Sequence, residues 1–304
     1  MKANDQINIK GYRWIGFNRE MKHIRAPKAS GGVGFFIKNT FLNDFDVHIV
    51  DKEIDGLVGI LLTEKLSEAQ ILLFTGYLPP ENSKWGRNPE IFYGHLLSKI
   101  YFYSTVDMVV ICGDLNARIG QLKDCIADID NIPNRVVIDQ VKNKHGESFI
   151  DFLIESRMCL LNGRLNPLSD GYTSVSTKGS AVVDYIAVCH DNFSNCNSFC
   201  VESCTEIISK CTLQNLIGEK CKVPDHALLS SVINLSVSPN DVKHVNPIQV
   251  NHCPNSTTYV NQKYDFKHIN QNFMQSAEVA ATLDKIIRGD SKDEGKTRRV
   301  RLRV

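Results

Sequence analysis

The chain has 304 residues, 42% hydrophobic and 23% charged, with a formal net charge of +1. This is ordinary globular composition and allows a sizeable buried core. Bulk charge is excluded as a route to nucleic acid, so any affinity for phosphate has to come from a local patch or a bound metal.

Residues 1–14 are polar and lack the apolar centre of a signal peptide. The longest apolar runs, such as Leu57–Leu62 and Val109–Cys112, are far too short to cross a bilayer. An intracellular protein, neither secreted nor membrane-spanning, is expected. Residues 1–30 carry one aromatic cluster, Tyr12, Trp14 and Phe17. Ser30-Gly31-Gly32-Val33-Gly34 then opens an apolar run to Ile37. No Gly-Lys-Ser/Thr follows and the run reads as a strand, so it is neither a dinucleotide fingerprint nor a phosphate loop.

Strand-like runs follow at Gly56–Thr63 and Ile71–Leu78, separated by a polar turn and stopped by Pro79-Pro80. Ile91, Phe92, Leu96, Leu97 and Ile100 recur with helical period over 89–104, and Pro89 suits an early helical position. Val106–Cys112 reads as a strand covered on both faces and ends in Gly113-Asp114. His145–Met158 reads as an amphipathic helix with Phe149, Phe152, Leu153 and Ile154 on its apolar side. Cys159–Leu161, Gly171–Ser176 and Ala181–Cys189 look like strands, 190–224 like a long irregular connection, and Ala227–Leu235 like the last strand. Alternating strands and helices without a strict repeat imply a layered α/β or α+β domain over 1–236. Beyond it, 237–304 reads as a polar, proline-bearing linker, one possible helix over 273–287, and a solvated basic tail with Arg298, Arg299, Arg301 and Arg303.

The ten cysteines do not suggest a secreted disulfide scaffold, because the chain is long and several sit inside apolar strands. Cys196, Cys200, Cys204 and Cys211 lie near His190, but intervals of three, three and six residues lack the paired knuckles of structural zinc. Reduced thiols are the expectation.

Three acid-bearing motifs stand at the ends or edges of strand-like runs: Gly113-Asp114-Leu115-Asn116, Val183-Asp184-Tyr185-Ile186 and Asp225-His226. Phosphodiesters resist hydrolysis because the anion repels nucleophiles and the alkoxide leaves poorly, so an enzyme must neutralise phosphate, activate water and stabilise the leaving oxygen. Carboxylates that hold Mg²⁺ suit that task. Asp114 follows a strand and a glycine, which places it on a strand's C-terminal rim, where α/β ligand sites form. Asp-x-Asn is equally an ordinary Asx turn. Asp184, inside an apolar strand, needs a partner if buried, and His226 is the natural one. Such a pair fixes the imidazole tautomer and raises its basicity; the alternative is a purely structural hydrogen bond. Tyr77, at the end of its strand, can bond phosphate or simply be a half-buried aromatic, and Tyr172-Thr173 is likewise open. Nothing supports a Ser or Cys nucleophile, since no Gly-x-Ser-x-Gly elbow is present.

Taken in order, Gly113–Asn116, Tyr172-Thr173, Val183–Ile186 and Asp225-His226 resemble the endonuclease/exonuclease/phosphatase superfamily. Within it, Gly11-Tyr12-Arg13-Trp14 through Asn18-Arg19 and Ala26–Gly34 resemble the endonuclease domain of non-LTR (LINE-type) retrotransposons. The resemblance spans roughly residues 9–236 and is specific as a set. It implies an α+β, DNase I-like fold: a four-layer sandwich of two mixed β-sheets with helices outside and the site at one rim. It implies Mg²⁺ or Mn²⁺ and a DNA substrate, hence a nuclear place of action. By the same resemblance Asp114 would activate water and Asn116 position it, Asp184 would orient His226, and His226 would contact phosphate. Asp225 would ligate metal, Tyr77 would contact phosphate, and Thr173 would be a phosphate-side rim residue. Pro224 stands where the family has Ser. The family's first-strand Asn and second-strand Glu would fall before Met1, so a chain truncated by two strands is expected. Two other readings stay open: a catalytically dead remnant that at most binds nucleic acid, and a phosphoesterase of the same fold acting on lipid or inositol phosphates.

Overall fold

The apolar runs pair into one central sheet whose two faces are both covered. The computed structural model describes residues 8–18, 32–83, 88–126, 129–166, 171–215, 223–235 and 299–304. In chain order the first elements are β1 (Tyr12–Asn18), β2 (Gly32–Lys38), β3 (Phe45–Asp51), β4 (Leu57–Glu64) and β5 (Gln70–Tyr77). Then come α1 (Pro89–Phe102), β6 (Met108–Asp114), α2 (Lys144–Glu155), β7 (Met158–Leu160), β8 (Ser174–Ser176), β9 (Gly179–Ala181) and β10 (Asp184–Cys189). The last are β11 (Cys196–Glu202), α3 (Cys204–Lys210), β12 (Leu228–Asn234) and β13 (Arg299–Arg303).

The central sheet has the order β3-β4-β5-β6-β10-β7 and is mixed: β5 and β6 are parallel, the other pairs antiparallel. Side chains alternate between its faces, as the two-residue strand period requires. Leu72, Phe74, Val109, Ile111, Tyr185 and Ala187 face α1 and α2. Ile71, Leu73, Val110, Cys112, Ile186 and Val188 face the opposite way and pack on a second β-layer. That layer comprises the sheet β11-β12-β13, through Phe199, Leu229, Ile233 and Val300, and the β1–β2 hairpin, through Ile15 and Ile37. The fold is α+β, with helices on one side of a six-stranded mixed sheet and further strands facing its other side.

Both long helices are capped where the sequence provides for it. The Asn88 side chain accepts from Glu90 N–H and Pro89 takes the first helical position, where no donor is needed. Asn143 accepts from Gly146 N–H at the start of α2. Phe92, Tyr93 and Leu96 of α1 meet Phe149 and Phe152 of α2 over the sheet, with Tyr93 stacked 5.4 Å from both rings.

Several expectations need correction. The expected irregular stretch 190–224 contains β11 and α3. β11 was hidden because its Ser/Asn/Cys-rich sequence buries only Cys196 and Phe199. α3 has a capping box from Ser203 and Glu206 but buries no residue, so it leaves no apolar stripe to read. β1 and β3 are strands in stretches where the sequence pattern marks none. The basic tail does not lie free in solvent: residues 299–303 form β13, an antiparallel neighbour of β12. Val300 is buried in the core and Leu302 packs against it, two residues apart, so the period is that of a strand. The linker and the expected helix over 273–287 lie outside the described residues.

Candidate active site

The parallel β5–β6 pair and the antiparallel β6–β10 pair bring three expected residues to one level of the sheet. Asp114, the last residue of β6, is in register with Tyr77 on one side and with Asp184, the first residue of β10, on the other. Directly opposed antiparallel residues have Cα atoms about 4.5–5.5 Å apart, so the two carboxyl groups are held close by backbone pairing alone. Gly113 makes the approach possible. Its φ is +141°, and a Cβ there would sit 1.9 Å from the Gly76 carbonyl oxygen.

His226 arrives from the other β-layer, just before β12. Its backbone is fixed by a bridge to Ser174 and by Ala227 N–H donating to Thr173 O at 2.7 Å. Its Nδ1 lies 3.0 and 3.1 Å from the two oxygens of Asp184. A carboxylate only accepts, so Nδ1 carries the proton and Nε2 is left for other partners. The candidate ligand atoms of Asp114, Asp184 and His226 all lie within 4.8 Å of one another.

The electrostatics separate their protonation states. Burial, reinforced by the charge of Asp184, pushes the Asp114 carboxyl up to about 7. The hydrogen bond from His226 to Asp184 is the main cause that lifts the imidazole to about 9, against the opposing effect of burial. At neutral pH the site therefore holds a charged imidazolium beside a carboxyl poised to gain or lose a proton.

The other expected residues fall into different places. Asn116 has φ +47°, a left-handed conformation that Asn tolerates better than most residues. Its N–H donates to Asp114 Oδ1 at 3.1 Å and its side-chain amide to Leu78 O at 2.9 Å, which ties the loop to the end of β5. Tyr77 is half-buried, its backbone N–H bonded to Gly56 O.

Thr173 is not a rim residue: it is fully buried, and its hydroxyl oxygen accepts from Val183 N–H and Asp184 N–H at 2.9 and 3.0 Å. Asp225 is exposed and stands outside the ligand cluster. Its carbonyl accepts from Val175 N–H, and its charge acts on His226 from a distance. Sequence reasoning missed Asn162, whose side chain donates to Asp184 O and accepts from Ile186 N–H, clamping the start of β10. An Asn directly after the apolar run Cys159–Leu161 was the available signal.

The donor set fits a hard divalent cation in one respect. Two crowded carboxylates, one of them driven toward neutrality by burial and by the other's charge, are relieved by a positive charge between them. Asp114 and Asp184 would hold it, although both oxygens of Asp184 already face His226. A second group, Asp51, Glu53 and His95, also meets ligand spacing. There Lys99 Nζ lies 2.6 Å from Glu53 and 3.8 Å from Asp51, so an ammonium already supplies the positive charge, and the cluster pins β3 to α1. Cys196, Cys200, Cys204, Cys211 and His190 form no metal-ligand group among the described residues, and none of these four cysteines is disulfide-bonded.

Comparison with known proteins finds no matching family model and no matching curated protein. Solved structures do match. The 3'-5' exonuclease NExo of Neisseria meningitidis aligns at TM-score 0.45 and 14% identity, over 73% of this chain and 79% of that one. The AP endonuclease LMAP of Leishmania major aligns at TM-score 0.45 and 13% identity, over 63% and 66%. Zebrafish TDP2, solved with a single-strand DNA product, aligns at TM-score 0.38 and 11% identity, over 64% and 69%.

Proposed function

We propose that this chain is a metal-dependent phosphodiesterase that cuts DNA, an endonuclease of the LINE retrotransposon type acting inside the nucleus. One observation carries the reading: the Asp184–His226 pair faces Asp114 at a single rim of the sheet. The order of the three motifs supports it, as does the resemblance of residues 11–34 to that retrotransposon group.

In this reading each residue has a task. His226, held protonated by Asp184, donates from Nε2 to a non-bridging phosphate oxygen and neutralises the charge that repels the nucleophile. Asp114, opposite Asp184 at the same rim, accepts the proton of the attacking water. Asn116 and Tyr77 border the same rim and orient water and phosphate. A bound Mg²⁺ or Mn²⁺ would polarise the phosphoryl oxygen.

The test is incubation of the purified chain with supercoiled plasmid in Mg²⁺, in Mn²⁺ and in EDTA, beside a soluble inositol phosphate. Nicking in either metal but not in EDTA, with no phosphate released from the inositol ester, supports the proposal. Phosphate release without nicking moves the substrate to small phosphoesters. DNA binding without hydrolysis of either leaves a non-catalytic remnant.

A further inference from the structure

Asp114 and Asp184 belong to strands that diverge into unrelated loops. The chain leaves Asp114 through Leu115, Asn116 and Arg118, and it enters Asp184 through Val182 and Val183. Backbone pairing between the two segments ends at Leu115 N–H to Val183 O, 3.0 Å. Beyond that bond side chains hold the loops at a fixed separation: the Tyr185 hydroxyl lies 2.6 Å from Ala117 O and 2.7 Å from Val182 O.

Asp139 does so from a segment without regular structure. Its carboxylate accepts from Arg118 Nε at 2.9 Å and Arg118 Nη2 at 2.6 Å, a two-point pair that sets direction as well as distance. The same Oδ2 accepts from Val182 N–H at 3.0 Å, and Oδ1 from Val141 N–H at 3.1 Å. The side chain of Asp139 is 6% exposed and that of Arg118 29%, so the pair is shielded more than a surface ion pair. Burial alone would raise the Asp139 carboxyl. The Arg118 pair and the two backbone donors outweigh it and hold the carboxyl below the usual range, so it is ionised at neutral pH.

We infer that Asp139 is a positioning residue: by gripping Arg118 and Val182 together it locks the Asn116 loop to the segment that delivers Asp184 to His226. Its effect on turnover rests on the hydrolase reading above; its effect on geometry does not.

The experiment uses the full chain with Asp139→Ala and Arg118→Lys. Amide hydrogen exchange at Leu115 and Val182 reports the lock, and DNA affinity in EDTA is measured beside nicking turnover in metal. For Asp139→Ala, exchange at both amides accelerates while β4 and β5 amides keep their protection. Turnover falls about a hundredfold, the scale of a misplacement near 1 Å, with DNA affinity unchanged. Arg118→Lys gives a smaller effect of the same kind, because an ammonium cannot form the two-point pair. Unchanged exchange at Leu115 and Val182 overturns the inference, as does acceleration spread uniformly over the sheet. Should Asp139→Ala fail to fold, Arg118→Gln, which leaves both backbone bonds of Asp139 in place, is expected to accelerate exchange at Leu115 and to lower turnover, and an unchanged Leu115 amide then overturns the inference. If the wild-type chain cuts nothing, the hydrolase reading falls and the exchange data alone decide this one.

Discussion

Asp114 and Asp184 stand opposite each other across the antiparallel β6–β10 pair, and only one of them is bonded to His226. That asymmetry makes two chemically identical side chains different. Asp184 has a cationic partner, while Asp114 is left with burial and a neighbouring negative charge, and its proton affinity rises.

The same asymmetry gives the metal-free protein a stability that depends on pH. The folded-state value for Asp114, about 7, lies above the ordinary carboxyl value of about 3.9, so the folded state holds the extra proton between them. Stability falls as pH rises through that window. His226, at about 9 when folded against about 6.5 unfolded, contributes fully below 6.5 and loses its contribution as pH rises through 9. Both slopes have one sign. In EDTA the calorimetric melting temperature should therefore decline from pH 5 to pH 9, and Asp114→Asn should flatten the part below 7. A melting temperature that rises over this range contradicts the arrangement.

Thr173 is a support for Asp184. Thr173→Val keeps the volume but leaves the N–H groups of Val183 and Asp184 buried without an acceptor, each costing about 1–3 kcal/mol. Urea unfolding should show a loss of at least about 2 kcal/mol, with Thr173→Ser close to wild type. Equal stability of Thr173→Val and wild type would remove this role.

Gly113→Ala tests the close approach of β5 and β6. The added carbon meets the Gly76 carbonyl, which is backbone and has no rotamer to escape into. Strain and overpacking together should destabilise by more than about 3 kcal/mol or abolish folding, read by circular dichroism. A wild-type melting temperature would show that the strands part without penalty.

Asp124 and Arg164 form a buried pair behind β7, with bonds of 2.7 and 2.8 Å. Asp124→Leu strands the guanidinium and should cost about 3–5 kcal/mol in denaturant unfolding, much of it recovered by Arg164→Met in the double variant. No recovery would mean that the cost lies with the other partners of Asp124, Arg135 at 3.5 Å and Leu160 N–H.

The central sheet except its edge strand β3 is readable in the sequence because those strands are largely apolar on both faces, as at Met108–Cys112, and the helices carry caps and stripes. β11 and α3 were hidden by composition, since neither buries enough apolar surface to leave a period. β13 was hidden by its arginines, although Val300 and Leu302 between them carried the strand signal. At the site, Asp114, Asp184 and His226 could be named from their flanking runs, and the structure brings these three together. Thr173 is buried behind Asp184 and Asp225 is exposed beside His226, because a motif gives the order of side chains along the chain but not the side from which each enters. Asn162 left only the weak signal of an amide after an apolar run, and Asp139 and Arg118 pair across the chain, which no local pattern encodes.

The most direct measurement is the single-turnover nicking rate of wild type, Asp114→Ala and His226→Ala, each shown to be folded, on one supercoiled plasmid with saturating Mg²⁺ or Mn²⁺. Each substitution is expected to slow nicking by at least about a hundredfold, the low end for acid–base and charge-stabilising groups. Equal rates for all three proteins would contradict a reaction centre built on these residues.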